Sequence, residues 1–238
     1  MKTTFISFLA LLFCMNVVHG QSNFYKLSLG AGYGATQSFT DLRKHGFDYA
    51  GYGTADFFFT PFISIGGEFQ MGQIRGGDIK TDPNEREFVN KYKAATINGK
   101  LYLGALVNYK QSKFINAVKW FYAGAGAGLV HNNVDRVVVK PSTVNSGNPY
   151  EFPGKAASTD LLIPLNVGIN FYFPDYGGRP RFGINVNYQT NITLGEGLDG
   201  YDDSPIKFSN GNPDIYTYVS VGLRYNFGFI GMSARSIY

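Results

Sequence analysis

From Ile215 to Phe227 the chain reads Ile-Tyr-Thr-Tyr-Val-Ser-Val-Gly-Leu-Arg-Tyr-Asn-Phe, and this run constrains the fold more than any other. Ile215, Thr217, Val219, Val221, Leu223, Tyr225 and Phe227 share one parity; Tyr216, Tyr218, Ser220, Gly222, Arg224 and Asn226 share the other. Alternate side chains of an extended chain point to opposite faces, so the run is a strand with one greasy face and one polar or small face. Any half-buried sheet would fit this stretch alone. The rest of the chain decides what the greasy face meets.

Seven more stretches share the period. The first strand is predicted over about Phe24 to Gly34, the second over Phe47 to Phe59, and the third over Phe62 to Ile74 after a tight Thr60-Pro61 turn. Arg75 to Lys91 is charged and reads as a loop. The fourth strand is placed at Ala95 to Leu106 and the fifth at Trp120 to Val130, with Val137-Val138-Val139 extending a strand beyond the long loop's start at His131. The sixth sets Leu161, Ile163, Leu165, Val167, Ile169, Phe171 and Phe173 against Leu162, Pro164, Asn166, Gly168, Asn170 and Tyr172. The seventh runs from Phe182 to Ile192, and a polar loop from Gly195 to Asp214 leads to the terminal strand. Pro164 cannot donate to a ladder, so a bulge or strand end is expected there. The pattern predicts an all-β, eight-stranded antiparallel up-and-down barrel.

Glycine (30), tyrosine (17) and phenylalanine (21) are abundant, as a β-rich chain requires. Residues 1–20 open with Lys2, pass through an apolar core from about Phe5 to Val18 and close on Val18-His19-Gly20, the layout of a signal peptide. No window holds about twenty apolar residues, which excludes a helical span. Cys14, the sole cysteine, lies in this leader, and Phe13 occupies a place where a lipoprotein leader needs a small residue. The remaining chain has no thiol for disulfide or metal chemistry. A dispersed net charge of +4 without a basic stripe gives no sign of nucleic acid as a partner.

Three features point to lipid. The polar faces of strands six and seven carry Asn166, Asn170, Asn185, Asn187, Gln189 and Asn191, whereas a soluble barrel would be apolar within. Outward aromatics (Tyr25, Phe57, Phe59, Phe121, Phe171, Phe173, Phe182, Tyr225 and Phe227) gather at one rim as an interfacial girdle. Closure of an even-numbered ring pairs every backbone group, as hydrocarbon demands. With its leader, its strands of about ten residues and its aromatic-ending last strand, the chain resembles small bacterial outer-membrane barrels of the OmpA/OmpX-like type. The resemblance implies outer-membrane lipid around the wall, recognition of the C-terminal strand by the barrel-assembly machinery, and extracellular ligands or proteins read by the loops. It gives a division into leader 1–20, barrel 21–227 and tail 228–238, although such proteins often end at the terminal aromatic.

An eight-stranded barrel is just wide enough for its inward side chains to fill. The inward charges are Lys26, Asp56, Glu68, Lys100 and Arg224, and two ion-pair clusters are expected: Glu68 with Lys100 in mid-lumen, and Lys26, Asp56 and Arg224 lower down. Counting from the rim places Tyr218 over Gly32 and Tyr102 over Gly124, aromatic rings covering bare backbone. A catalytic reading would join His131 to Ser158 and Asp160, a spacing that arises easily by chance. Gly30-Ala-Gly-Tyr-Gly34 and Gly124-Ala-Gly-Ala-Gly128 lie within strands and do not cradle phosphate. Asp199, Asp202, Asp203 and Asp214 lack EF-hand spacing, so neither metal nor cofactor is expected. The expectation is a non-enzymatic barrel with a structural or surface-interaction role; the alternatives are a narrow pore, an accessory barrel of a larger secretion or uptake complex, and, further off, an outer-membrane enzyme.

Overall fold

The computed structural model describes residues 22–40, 42, 44–82, 86–109, 112–138, 156–195, 197–201 and 214–233. Eight strands form one ring: β1 (Ser22–Phe39), β2 (Phe47–Thr60), β3 (Ile63–Gly77), β4 (Glu87–Tyr102), β5 (Phe121–Val138), β6 (Ala157–Pro174), β7 (Pro180–Thr193) and β8 (Ile215–Ser233). Each runs antiparallel to its neighbours, and β8 returns to β1 to close the barrel. Residues 1–20, expected from sequence to be a leader and including Cys14 and His19, lie outside the described residues.

Two of the three lower connections are tight turns. At the lower end, Thr60 Oγ1 accepts the Phe62 amide at 3.1 Å in the β2–β3 turn. In the β6–β7 turn the Asp175 carboxylate accepts the Gly177 and Arg179 amides at 2.8 and 2.9 Å, and Gly178 takes φ +74°. The third lower connection holds a 3₁₀ turn, Leu103–Ala105, and α1, Lys113–Val118. The other four connections, beginning near residues 40, 78, 139 and 194, belong to the upper end.

The ring is staggered. Paired positions lead from Leu27 through Phe57, Ile65, Gly99, Ala125, Leu165, Thr190 and Thr217 back to Gln37, ten residues higher on β1. Strands of such a ring tilt roughly 35–45° from its axis.

Several boundaries differ from those the sequence suggests. β4 begins at Glu87 rather than Ala95, inside the stretch read as a charged loop, and Leu103–Ala105 leaves the strand for the 3₁₀ turn. Alternation is present from Glu87 onward, but its sense is reversed: Phe88 and Tyr92 face inward while Lys91 and Lys93 face out. Above the greasy belt, water lies outside and the apolar side turns in. Val137 and Val138 prolong β5, and Val139 lies outside the described residues.

β8 continues past Phe227, the edge assigned from sequence, as far as Ser233. Tyr25 faces Ile230 while Leu27 faces Phe227, so β8 carries an extra residue at a bulge. Gly228 sits there at φ +85°, a left-handed conformation that glycine adopts without a steric penalty. Pro164 produces neither bulge nor strand end. β5 and β6 keep one register across it, with pairing interrupted between Ala125–Leu165 and Gly128–Leu162.

Ending the chain after Phe227 would strand Ser22–Tyr25 without their β8 partners. The truncated barrel should lose about 2 kcal/mol, or about 5 °C in the temperature at which it gives up its compact electrophoretic form. An unchanged temperature would show the extension to be dispensable.

Candidate functional site

The lumen holds buried charge at Asp56, Glu68, Lys100 and Arg224. Asp56 on β2 accepts the Lys100 ammonium from β4 at 3.0 Å and the Arg224 guanidinium from β8, and none of the three side chains is more than 5% exposed. These strands are not neighbours, so the long cationic side chains cross the lumen to reach one carboxylate. Arg224 Nε also donates to Ser28 Oγ at 3.3 Å. A carboxylate taken out of water persists as an anion only with such partners.

This is one triad rather than the two clusters expected from sequence. Glu68 is buried inside the wall, but Thr96 is its partner on β4, whereas Lys100 stands opposite Ser64, four positions lower. Glu68 instead accepts Gln70 Nε2 at 2.5 Å, and Gln70 also reaches Gln189. Lys26 is half-buried at the β1–β8 register shift, apart from the triad around Asp56.

An amide chain fills the polar middle. Asn187 donates to Asn166 at 3.1 Å, Asn166 to Asn98 at 3.2 Å, and Asn98 to Thr96 at 2.9 Å. Tyr122 donates to Asn187 at 3.0 Å and accepts from Asn185 at 3.0 Å; Asn185 donates onward to Asn170 at 2.8 Å. Buried amides are tolerated when their donors and acceptors are met in this way.

Aromatic rings do cover bare glycines, but with other partners than those predicted. A Cβ on Gly32 would stand 2.5 Å from the Tyr52 ring, so Tyr52 takes the place assigned to Tyr218. Tyr218 lies higher, opposite Thr36, and donates to the Ala50 carbonyl at 2.9 Å. Gly124 is covered by the Lys100 stem, its added Cβ 3.1 Å from Lys100 Cγ, while Tyr102 stands opposite Tyr122. Tyr122 itself covers Gly168. Counting from the rim failed because it ignored both the stagger of the ring and the residues β8 adds below Phe227.

Both mouths are sealed by apolar groups. Above, Leu42, Phe88, Tyr92, Leu198, Tyr201 and Tyr216 pack together. Below, Phe24, Phe58, Phe62, Tyr102 and Tyr122 do so, with Trp120 against them. Between these caps a cavity of about 10 Å³, lined by Tyr52, Glu68, Lys100, Tyr122 and Arg224 among others, has room for about one water.

The wall has the opposite polarity. Leu165 and Val167 are exposed on the outside, as are Ile97 at 64% and Leu223 at 71%, while Asn166, Asn185 and Asn187 are buried within. An apolar belt around a polar filling places the low-dielectric phase outside. The fold is that of a small transmembrane β-barrel. At a rise of about 3.3 Å per residue and a tilt near 40°, its belt is roughly 20–25 Å tall.

The barrel's lower rim carries Phe57, Phe59, Phe121, Phe171, Phe173, Phe182 and Tyr225 on its outer face, with Phe227 half-buried and stacked on Tyr225 at 5.9 Å. Tyr25 departs from the expected girdle. It is 8% exposed, lies under the Arg179 and Arg181 guanidinium groups, and donates its hydroxyl to Asp175 at 2.7 Å. Sequence reasoning missed a second group, Phe39, Phe47 and Tyr49, exposed toward the upper rim of the barrel. Their shared parity in β1 and β2 was the available signal.

The histidine constellation does not assemble. His131 faces outward with Nδ1 2.9 Å from Thr159 Oγ1. Ser158 turns inward, donating to Asp160 at 2.6 Å, and Asn132 donates to both. The wall of the barrel therefore separates the imidazole from the would-be nucleophile and acid. Among the loop acids, Asp199 accepts the Tyr201 amide and Asp214 the Leu198 amide; Asp202 and Asp203 lie outside the described residues.

No protein-family model matches the chain, and no curated protein matches it in sequence. Solved structures match it in shape. Neisserial surface protein A aligns at a TM-score of 0.48 and 10% identity, over 88% of this chain and 100% of that one. Ail, the attachment invasion locus protein of Yersinia pestis, aligns at 0.46 and 15%, over 85% and 99%. The N-terminal β-barrel domain of Pseudomonas aeruginosa OprF aligns at 0.40 and 10%, over 84% and 98%. At these identities the likeness is one of fold alone.

Two outcomes test the barrel's electrostatics. Asp56→Asn leaves two cations facing a neutral amide and should cost about 3–5 kcal/mol in urea unfolding from lipid vesicles; Lys100→Met leaves Asp56 with Arg224 and should cost less. At the lower turn, the Tyr25 hydroxyl and the Arg179 amide hold the Asp175 pKa down at about 2. A depressed carboxylate stabilises the fold fully above its unfolded pKa of about 3.9 and loses that contribution as pH falls through the folded value. Tyr25→Phe should therefore move the Asp175 carboxyl NMR titration up toward about 3.9.

Proposed function

We propose that this chain is an integral outer-membrane protein of a bacterium, non-enzymatic, whose closed barrel anchors long extracellular connections for interaction at the cell surface. The observation that carries this reading is the double seal of the described lumen: apolar clusters lie at both mouths, and among the described residues the cavity between them has room for about one water. A wall built this way holds loops in place and gives a solute no path. On this reading residues 1–20 direct export and are removed, the mature chain enters lipid as a barrel, and β8 is the strand engaged by the barrel-assembly machinery. The lower rim then faces the periplasm. The upper connections face outward, where an extracellular ligand or protein would be met.

The separation of His131 from Ser158 and Asp160 supports a role without catalysis. The purified barrel in planar bilayers should give no discrete conductance steps, while the outer-membrane fraction should contain a band whose migration changes on boiling. Reproducible steps at neutral pH would replace the anchoring role with that of a narrow pore.

A further inference from the structure

At the lower rim, two guanidinium groups share one aromatic ring. Arg179 Cζ lies 5.3 Å and Arg181 Cζ 5.0 Å from the ring centroid of Tyr25, and Arg181 Cζ lies 5.5 Å from that of Tyr225. Cations settle on aromatic faces in this way, but a ring does not neutralise a charge. The acid of this turn is Asp175, and its oxygens are taken. It accepts the Tyr25 hydroxyl at 2.7 Å, Arg179 Nε at 3.1 Å, and the Gly177 and Arg179 amides. Among the described residues Arg181 has no carboxylate partner, and its buried Nε has no acceptor. A planar fork of donors is thus fixed between two rings with its demand for acceptors unmet.

The surroundings suit an anion with an apolar body. The next residue up the strand, Phe182, faces outward with its ring 4.9 Å from that of Tyr225, and the pair Ile184 and Leu223 carries the apolar wall on into the belt. Lys26, Lys113 and Lys119 lie on the same rim, where Asp175 is the acid among the described residues. At the upper end opposite charges meet instead: Lys44 pairs with Asp78, Arg75 with Asp48 and Arg86 with Asp82. The lower rim therefore carries unbalanced positive charge at the level where acyl chains give way to headgroups.

We propose that Arg181, with Arg179 beside it, binds the phosphate of an anionic phospholipid in the leaflet at the lower rim. The phosphodiester accepts the N–H groups that Asp175 leaves unmet, and one acyl chain lies along Phe182, Tyr225 and Ile184. Charge complementarity selects the occupant. A zwitterionic lipid offsets its own phosphate with an ammonium group, whereas phosphatidylglycerol brings a net negative charge to a basic rim. A single basic side chain at an anionic membrane surface is worth about a factor of five in binding. The assignment rests on the membrane reading above.

The test titrates the folded full-length protein in detergent with phosphatidylglycerol, or with phosphatidylcholine of the same acyl chains, and follows binding by native mass spectrometry. One equivalent of phosphatidylglycerol should bind at least about fivefold more tightly. Arg181→Gln should abolish that preference, Lys93→Gln on the upper wall should leave it intact, and both variants should keep the boiling-dependent gel shift. Should Arg181→Gln fail to fold, a phosphatidylglycerol with a photoreactive headgroup decides on the parent protein: its adducts should fall on the β6–β7 turn and the lower end of β8. Equal binding of the two lipids, an unchanged preference in Arg181→Gln, adducts confined to α1, or full displacement by millimolar inorganic phosphate would overturn the assignment. Insertion into phosphatidylcholine vesicles is scored separately. A barrel that inserts but shows no preference loses this proposal alone, and one that does not insert loses the membrane reading with it.

Discussion

Hydrocarbon offers nothing to a peptide N–H or C=O, and this constraint governs every other feature of the molecule. A chain that crosses with strands must leave no edge, so β8 has to find β1. Closure fixes which parity faces lipid, and with it the inverted distribution of polar and apolar residues. Once closed, an eight-stranded ring has an interior about the size of its own side chains. The buried aspartate, its two cations and the asparagine chain follow from the need to fill that interior with groups that satisfy one another.

The filling is layered. Rings and aliphatics close each mouth, and amides and charges hold the middle. Because Asp56 collects partners from β4 and β8, three strands that are not adjacent are tied across the lumen by one carboxylate. This arrangement suits a rigid support. A permeation path would need the same groups to part, with a buried charge left unpaired at each step.

What the sequence made legible was whatever depends on parity within one strand. Leu165, Val167 and Ile169 could be placed outside, and Asn166, Asn185 and Asn187 inside, from alternation alone. What it concealed depends on relations between strands. Tyr52 rather than Tyr218 covers Gly32, and Lys100 meets Asp56 rather than Glu68, because stagger sets heights that no single strand records. The upper part of β4 was hidden for another reason. Phe88 and Tyr92 turn inward there and the lysines outward, so a reading that demanded a greasy exterior throughout took a strand for a loop.

The junction of first and last strands is also the longest in the ring. Seventeen positions pair between β1 and β8, against eleven between β1 and β2. Joining the two ends of a chain this long carries the largest loop-closure entropy of any pair of strands in the barrel, and contacts so distant in sequence form slowly. The extra rungs that β8 gains beyond its glycine bulge are added at this seam. They add pairing at the seam where the ring is hardest to shut.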